Sequence, residues 1–197
     1  MPSNANALLL ALQALWLALP VLVAGIVQIL IIKAGWLKSL AAVPIDGGLC
    51  FRDRRLFGAN KTLRGAVIMP LVSALASAVQ TRAAADANAW LGVAAFQVNH
   101  PAAWGLLLGL GYVLGELPNS FMKRQLDIAP GAATKGRAAL FFWLADQWDS
   151  VVGIFLVLGF VWVPGLRFIA MVFALALVLH TLAAALMVAL GLKERIG

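Results

Sequence analysis

Residues 141–155 read "FFWLADQWDSVVGIF". Asp146 and Asp149 stand in a run dominated by aromatic and aliphatic side chains, three residues apart, so that on a helix they share one face. Whether this run is a core helix of a soluble domain or a membrane span decides the fold. The rest of the chain answers: of 197 residues, 63% are hydrophobic and 12% charged, with a mean hydropathy of +0.95, where an average soluble domain carries about 25% charged residues. The sequence predicts an all-α integral membrane protein, one membrane-embedded domain over residues 1–197.

Each crossing needs about 20 mostly apolar residues. Apolar stretches run from about Ala7 to Ile32 and over 66–85, 101–117, 139–163 and 166–192, which predicts about five transmembrane helices. The first has no basic residue before it and is too long for a signal-peptide core, so it reads as a permanent helix. The second is short, and "NAWLGVAAFQV" after it fits either a half-helix or a surface segment. Cys50 is the one cysteine, excludes an internal disulfide and reads as a small filler.

Thirteen of the fifteen basic residues fall on alternate loops. Lys33, Lys38, Arg52, Arg54, Arg55, Lys61 and Arg64 lie between the first two spans; Lys123, Arg124, Lys135 and Arg137 between the third and fourth; Lys193 and Arg195 in the tail. Only Arg82 and Arg167 are left for the other side. Basic loops stay cytoplasmic, which places the N-terminus outside, the C-terminus in the cytoplasm and the chain in the cell membrane as a multi-pass protein. The net charge of +7 is thereby concentrated on one face, where it meets anionic headgroups or an anionic soluble substrate.

A carboxylate at the centre of a span costs roughly 2.5 to 3.5 kcal/mol, and two on one face repel. Ser150 and Gly153 continue the same stripe beyond Asp146. If the helix enters from the cytoplasm near Leu140, both acids sit only one to three turns deep, a depth suited to a metal site open to the cytosol. Mg²⁺ takes one or two carboxylates together with substrate phosphate oxygens. The other reading of these acids is an intramembrane salt bridge to Lys or Arg.

A second polar stripe leaves the third span in "GELPNSFMKRQLD", residues 115–127. From Glu116, helical spacing aligns Ser120, Lys123, Arg124 and Asp127, and Pro118 is expected to kink or restart the helix. An acid beside two cations suits phosphoryl or nucleotidyl transfer, and also a solvated basic loop. The first cytoplasmic loop, "DGGLCFRDRRLFGANKTLRG" (46–65), adds loosening glycines and the phosphate donors Lys61, Thr62 and Arg64. It lacks the spacing of a P-loop. His100 and His180 are isolated and read as structural.

Taken in order, the loop ending "KTLRG", then "GELPNSFMKRQLDIAPG", then "LADQWDSVVG" resemble the CDP-archaeol synthase family, part of the larger group of membrane cytidylyltransferases that includes phosphatidate cytidylyltransferase. The similarity runs from about residue 44 to 153. It implies a five-helix enzyme that joins CTP to a lipid phosphate, giving a CDP-lipid and pyrophosphate, with Mg²⁺ required. Ser120, Lys123, Arg124, Asp146 and Asp149 match the family's catalytic positions. Lys61, Thr62, Arg64 and Gly65, with Asn60 beside them, match its substrate-binding loop. Asp146, Asp149 and Glu116 are the implied metal ligands, Glu116 standing where the family usually has Asp. The expected partners are CTP, a membrane lipid phosphate and the bilayer, not nucleic acid, with a homodimer left open. The rivals are a CDP-alcohol phosphotransferase, whose Asp-Gly-x-x-Ala-Arg motif is not found, and a small cation carrier, which would need no Lys-Thr-Leu-Arg-Gly loop.

Overall fold

The computed structural model describes residues 4–83, 100–132, 134 and 136–191. Five long helices dominate: α1 (Asn4–Lys33), α3 (Leu63–Ala83), α4 (Pro101–Gln125), α5 (Ala139–Leu158) and α6 (Leu166–Ala189). The short α2 (Lys38–Ala41) follows α1, and a two-stranded hairpin of β1 (Cys50–Phe51) and β2 (Arg54–Arg55) lies in the loop before α3. Arg52 and Asp53, both at positive φ, form its two-residue turn, the backbone twist that tight hairpins favour.

Among the described residues four stretches are long and apolar enough to cross a membrane, Ala7–Lys33, Leu63–Ala83, Gly136–Leu158 and Leu166–Ala189; α4, the expected third span, is not one of them. In Leu166–Ala189, only 6% of the most apolar window is buried inside the protein. Leu75, Leu156 and Leu182 likewise point outward from their helices. A surface so continuously apolar is stable only against lipid, and the chain is an all-α integral membrane protein.

Helix α4 is the hub, packed on α3 along one side and on α5 along the other. Its sequence "GLLLGLGYVLGELP" explains how. Gly105 and Gly109, four apart, let the backbone of α3 approach at Ser73 and Pro70; Gly111 and Gly115, also four apart, do the same for α5 at Gly153 and Ile154. Without a hydrophobic driving force inside lipid, such small-residue seams are what bring spans together. A methyl group at Gly111 would stand 2.6 Å from the Ile154 Cα, so the two backbones touch. At the far end, Ala14, Leu17, Val21 and Ala24 of α1 meet Met69, Trp104, Leu108, Leu158 and Phe168 in the apolar core, capped by the edge-on Trp104–Trp162 pair at 5.9 Å.

Several expectations change. Helix α4 runs unbroken through Pro118 to Gln125, eight residues past the expected end at 117, so the polar stripe rides on one continuous helix. The expected restart does not occur; Pro118 removes one N–H, but helix neighbours in a membrane protein tolerate that loss. Helix α5 stops at Leu158 rather than 163, where Val161 and Trp162 turn back to the Leu158 carbonyl ahead of Pro164. Cys50 is exposed on the hairpin rather than filling a core. The segment "NAWLGVAAFQV" and the basic residues Lys135, Lys193 and Arg195 lie outside the described residues.

Candidate active site

The seam between α4 and α5 places two acids from one helix opposite an amide and an amine from the other. Buried Asn119 donates through Nδ2 to Asp146 Oδ1 at 2.7 Å and to Asp149 Oδ2 at 2.8 Å. One turn later Lys123 Nζ donates to both oxygens of Asp146, at 2.5 and 2.6 Å, and lies 5.7 Å from the Phe142 ring centroid. Asp146 thus has the intramembrane ion pair the sequence allowed, whereas Asp149 is held by Asn119 and by the N–H of Ser150 at 2.6 Å. Asn119 lies at i+3 from Glu116 and i−4 from Lys123, the same helix face, a spacing that could have flagged it. Ser120 is half-buried one step round the helix, and the side chain that reaches both aspartates is its neighbour Asn119.

The first loop closes over this end of the seam. Ile45 N–H donates to the Lys61 carbonyl at 2.8 Å and Leu63 N–H to the Val43 carbonyl at 2.9 Å, pinning the two ends of the loop together. Lys61 Nζ is bonded to Glu116 Oε2, and Arg54 reaches Asp127 at 2.5 Å and the Gln125 carbonyl. Glu116 and Lys61 are both close enough to act electrostatically on Asp149. Three separate segments therefore meet at one end of the bundle.

Asp46, which the sequence did not single out, organises the loop. It is buried, accepts backbone N–H bonds from Gly48 (3.0 Å), Phe57 (3.1 Å) and Gly58 (3.2 Å), and pairs with the Arg55 guanidinium. Burial alone would raise its pKa, but the Arg55 guanidinium and the three N–H groups outweigh it and hold the carboxyl down at about 2. The same pairing raises Arg55 above its ordinary value, against the pull of desolvation. Gly58, at φ +93°, holds a backbone conformation that strains any other residue, and the space is tight: a Cβ there would stand 3.2 Å from Pro130 Cγ and 3.3 Å from Arg124 Cδ, so a side chain would have to give.

Arg124 consequently faces the loop while Lys123 faces the acids, and the buried Nε and Nη1 of Arg124 have no partner among the described residues. Asn60 is exposed on the loop; Thr62 bridges to Pro44 at the foot of α3; Gly65 faces Gln28 of α1. Arg64 is not brought to the aspartates: its Nη1 lies 3.5 Å from the Trp36 carbonyl, at the outer limit of a hydrogen bond. His180 is not isolated. From α6, its ring nitrogens lie 3.2 Å from the Asp146 carbonyl and 3.5 Å from the Ser150 hydroxyl, directly behind the acid pair.

Among the described residues no three of His, Cys, Asp and Glu gather closely enough to enclose an ion by themselves. Glu116, the implied third ligand, is instead paired with Lys61. Two hard carboxylates are nonetheless what Mg²⁺ takes from protein, the rest being water and substrate phosphate. The buried Asn119 Oδ1, without a partner among the described residues, adds an oxygen beside both aspartates. The donor set at Asp146 and Asp149 therefore fits such an ion.

Fold and site together define an intramembrane protein whose two facing helices carry an acid pair and a lysine beneath a basic loop. The chain belongs to the CarS-like CDP-archaeol synthase family, whose family model matches residues 7–196. The CDP-archaeol synthase of Halorubrum lacusprofundi is 37% identical over 109 residues, so that the chain spans about half of that relative's length, 55%. The CDP-archaeol synthase of Aeropyrum pernix is 32% identical over 187 residues, 93% of this chain and 90% of that one. A solved structure, described as an intramembrane enzyme for archaeal membrane lipids biosynthesis, matches at a TM-score of 0.58 and 27% identity over 89% of this chain and 94% of that one.

Proposed function

We propose that this chain transfers the cytidylyl group of CTP to the phosphate of a membrane lipid, releasing pyrophosphate and leaving a CDP-lipid of the CDP-archaeol kind. The observation that carries this is the meeting of Lys61–Glu116, Asn119, Lys123 and the Asp146/Asp149 pair at one end of the bundle. Family membership supports the reaction class.

In the reaction an oxygen of the lipid phosphate forms a bond to the α-phosphorus of CTP while the bond from that phosphorus to the β-phosphate bridging oxygen breaks; pyrophosphate leaves with the bonding pair. No protein nucleophile is required. Both reactants are anions, so rate enhancement has to come from charge neutralisation and alignment. Asp146 and Asp149 would hold Mg²⁺, which when bound supplies positive charge to the phosphate oxygens. Asn119 fixes both carboxylates in one orientation through its two N–H bonds. Lys123 leaves Asp146 for a phosphate oxygen when the substrates enter, and Arg124 offers the Nε and Nη1 of its guanidinium to the nucleotide from the loop side. Lys61, three residues from Arg64, links the loop to Glu116 and closes the charged cleft over the phosphates.

The basic loops support a cytoplasmic position for this end, where CTP is dissolved and the lipid headgroup lies within reach. The test is direct: purified protein supplied with labelled CTP, Mg²⁺ and a diether lipid phosphate should produce a CDP-lipid, with phosphatidate as the comparison acceptor. Absence of any CDP-lipid with either acceptor, from folded protein, would overturn the proposal.

A further inference from the structure

A groove of about 470 Å³ runs along the last two turns of α1, lined by Val27, Leu30, Ile31, Lys33, Ala34 and Trp36. Its wall is almost wholly apolar except for Lys33 at the mouth. From Val27 to Ala34 it extends about 10 Å along the helix axis, opening at the end of the bundle where the first loop begins.

Two buried polar atoms beside the groove lack a partner among the described residues, Arg64 Nε at the start of α3 and Gln28 Oε1 on α1. They are neighbours in space: Gly65 packs on the Gln28 amide, and Arg64 reaches the carbonyl of groove residue Trp36. Arg64 is also three residues from Lys61, whose ammonium is bonded to Glu116, so the Cα atoms of the two basic residues lie within about 10 Å of each other. An apolar trough, a cation in its lining and a neighbouring guanidinium whose Nε has no partner among the described residues together match an amphiphile with a long hydrocarbon chain and a phosphate.

We propose that this groove holds one hydrocarbon chain of the acceptor lipid and that Arg64, with Lys33, holds its phosphate at the edge of the cleft. The assignment rests on the cytidylyl-transfer reading and separates two kinds of contact: Arg64 serves the lipid, Arg124 the nucleotide. A groove filled by any bilayer lipid would show no preference for the phosphate.

The experiment has two arms. In the first, the unaltered protein is irradiated with a diether lipid phosphate bearing a photoreactive chain, and the labelled peptide is mapped. Labelling within 27–36, displaced by unlabelled lipid phosphate at least tenfold more effectively than by the neutral diether alcohol, is the expected result; equal displacement, or labelling elsewhere, overturns the groove. In the second, Ala34→Trp fills the trough and is compared with Leu182→Trp on the lipid-facing side of α6. Ala34→Trp should raise KM for a long-chain lipid phosphate at least tenfold, leave KM for CTP within twofold, and lose its defect with a short-chain acceptor, while Leu182→Trp behaves as the parent. A rise in KM for CTP, or the same defect in both variants, overturns the proposal. Specific labelling from a protein that makes no CDP-lipid would retain the groove and refute the transfer reaction, so the two failures are distinguishable.

Discussion

Gly115→Ala tests whether the α4–α5 seam sets the catalytic geometry. A Cβ at this position would stand 2.8 Å from the Gly153 Cα and closer still to the Asp149 carbonyl oxygen. Carbon atoms settle at about 3.5 to 4.0 Å, so α5 has to withdraw by about 1 Å. That displacement stretches the 2.8 Å bond from Asn119 to Asp149 beyond hydrogen-bonding range and shifts both carboxylates relative to Lys123. Misplacement of about 1 Å typically costs on the order of 100-fold in rate, about 2.7 kcal/mol, while the overpacking itself costs about 1–3 kcal/mol of stability. The assay is CDP-lipid formation from labelled CTP in lipid nanodiscs, with membrane insertion and thermal stability measured in parallel. Gly25→Ala is the control, since a Cβ there meets nothing within 4 Å. Near-parental kcat in a correctly inserted Gly115→Ala protein would refute the idea that the seam positions the acids.

Asn119→Leu should reduce kcat at least tenfold, because it removes both carboxylate contacts while keeping similar bulk; unchanged kcat at limiting Mg²⁺ would remove Asn119 from the site. The folded-state pKa of Asp46 is depressed, so its contribution, about 2 kcal/mol for a shift from 3.8 to about 2, is complete above pH 4 and disappears as pH falls toward 2. Proteolysis of the 44–62 loop should accelerate over that window in the parent and show no such step in Asp46→Asn. Cys50, exposed on the hairpin, should react with a membrane-impermeant maleimide in inverted vesicles and not in right-side-out ones; the opposite pattern would reverse the orientation. Exchanging Lys123→Arg with Arg124→Lys keeps both charges but should lower turnover at least tenfold, since Lys123 faces Asp146 and Arg124 the loop.

The long helices and the charged residues of the candidate site were legible from the sequence, because apolar length and charge inside apolar runs are written locally. Asp146 and Asp149 stand out as acids inside a span, and Lys123 with Arg124 as a basic step after another. Asn119 was hidden because it is uncharged and follows Pro118, where a helix break was expected; only the unbroken α4 puts it on the acid-facing side. Asp46 could not be read because its partners, Arg55, Phe57 and Gly58, are assembled by loop closure. The paired glycines 105/109 and 111/115 were visible as a spacing, but which helix each pair receives is decided only in three dimensions. His180 looked isolated because the residues it touches, Asp146 and Ser150, lie thirty or more positions away.

The most direct measurement follows the label of CTP. With CTP carrying radioactive phosphorus at the α position, a folded protein in nanodiscs containing a diether lipid phosphate should move the label into lipid; with the label at the γ position it should appear in pyrophosphate and leave the lipid unlabelled. Asp149→Asn, matched in size but without the charge, should abolish both transfers while the protein still inserts. Lipid labelled from the γ position would make the chain a lipid kinase, and undiminished α-transfer by Asp149→Asn would contradict the placement of the reaction at the acid pair.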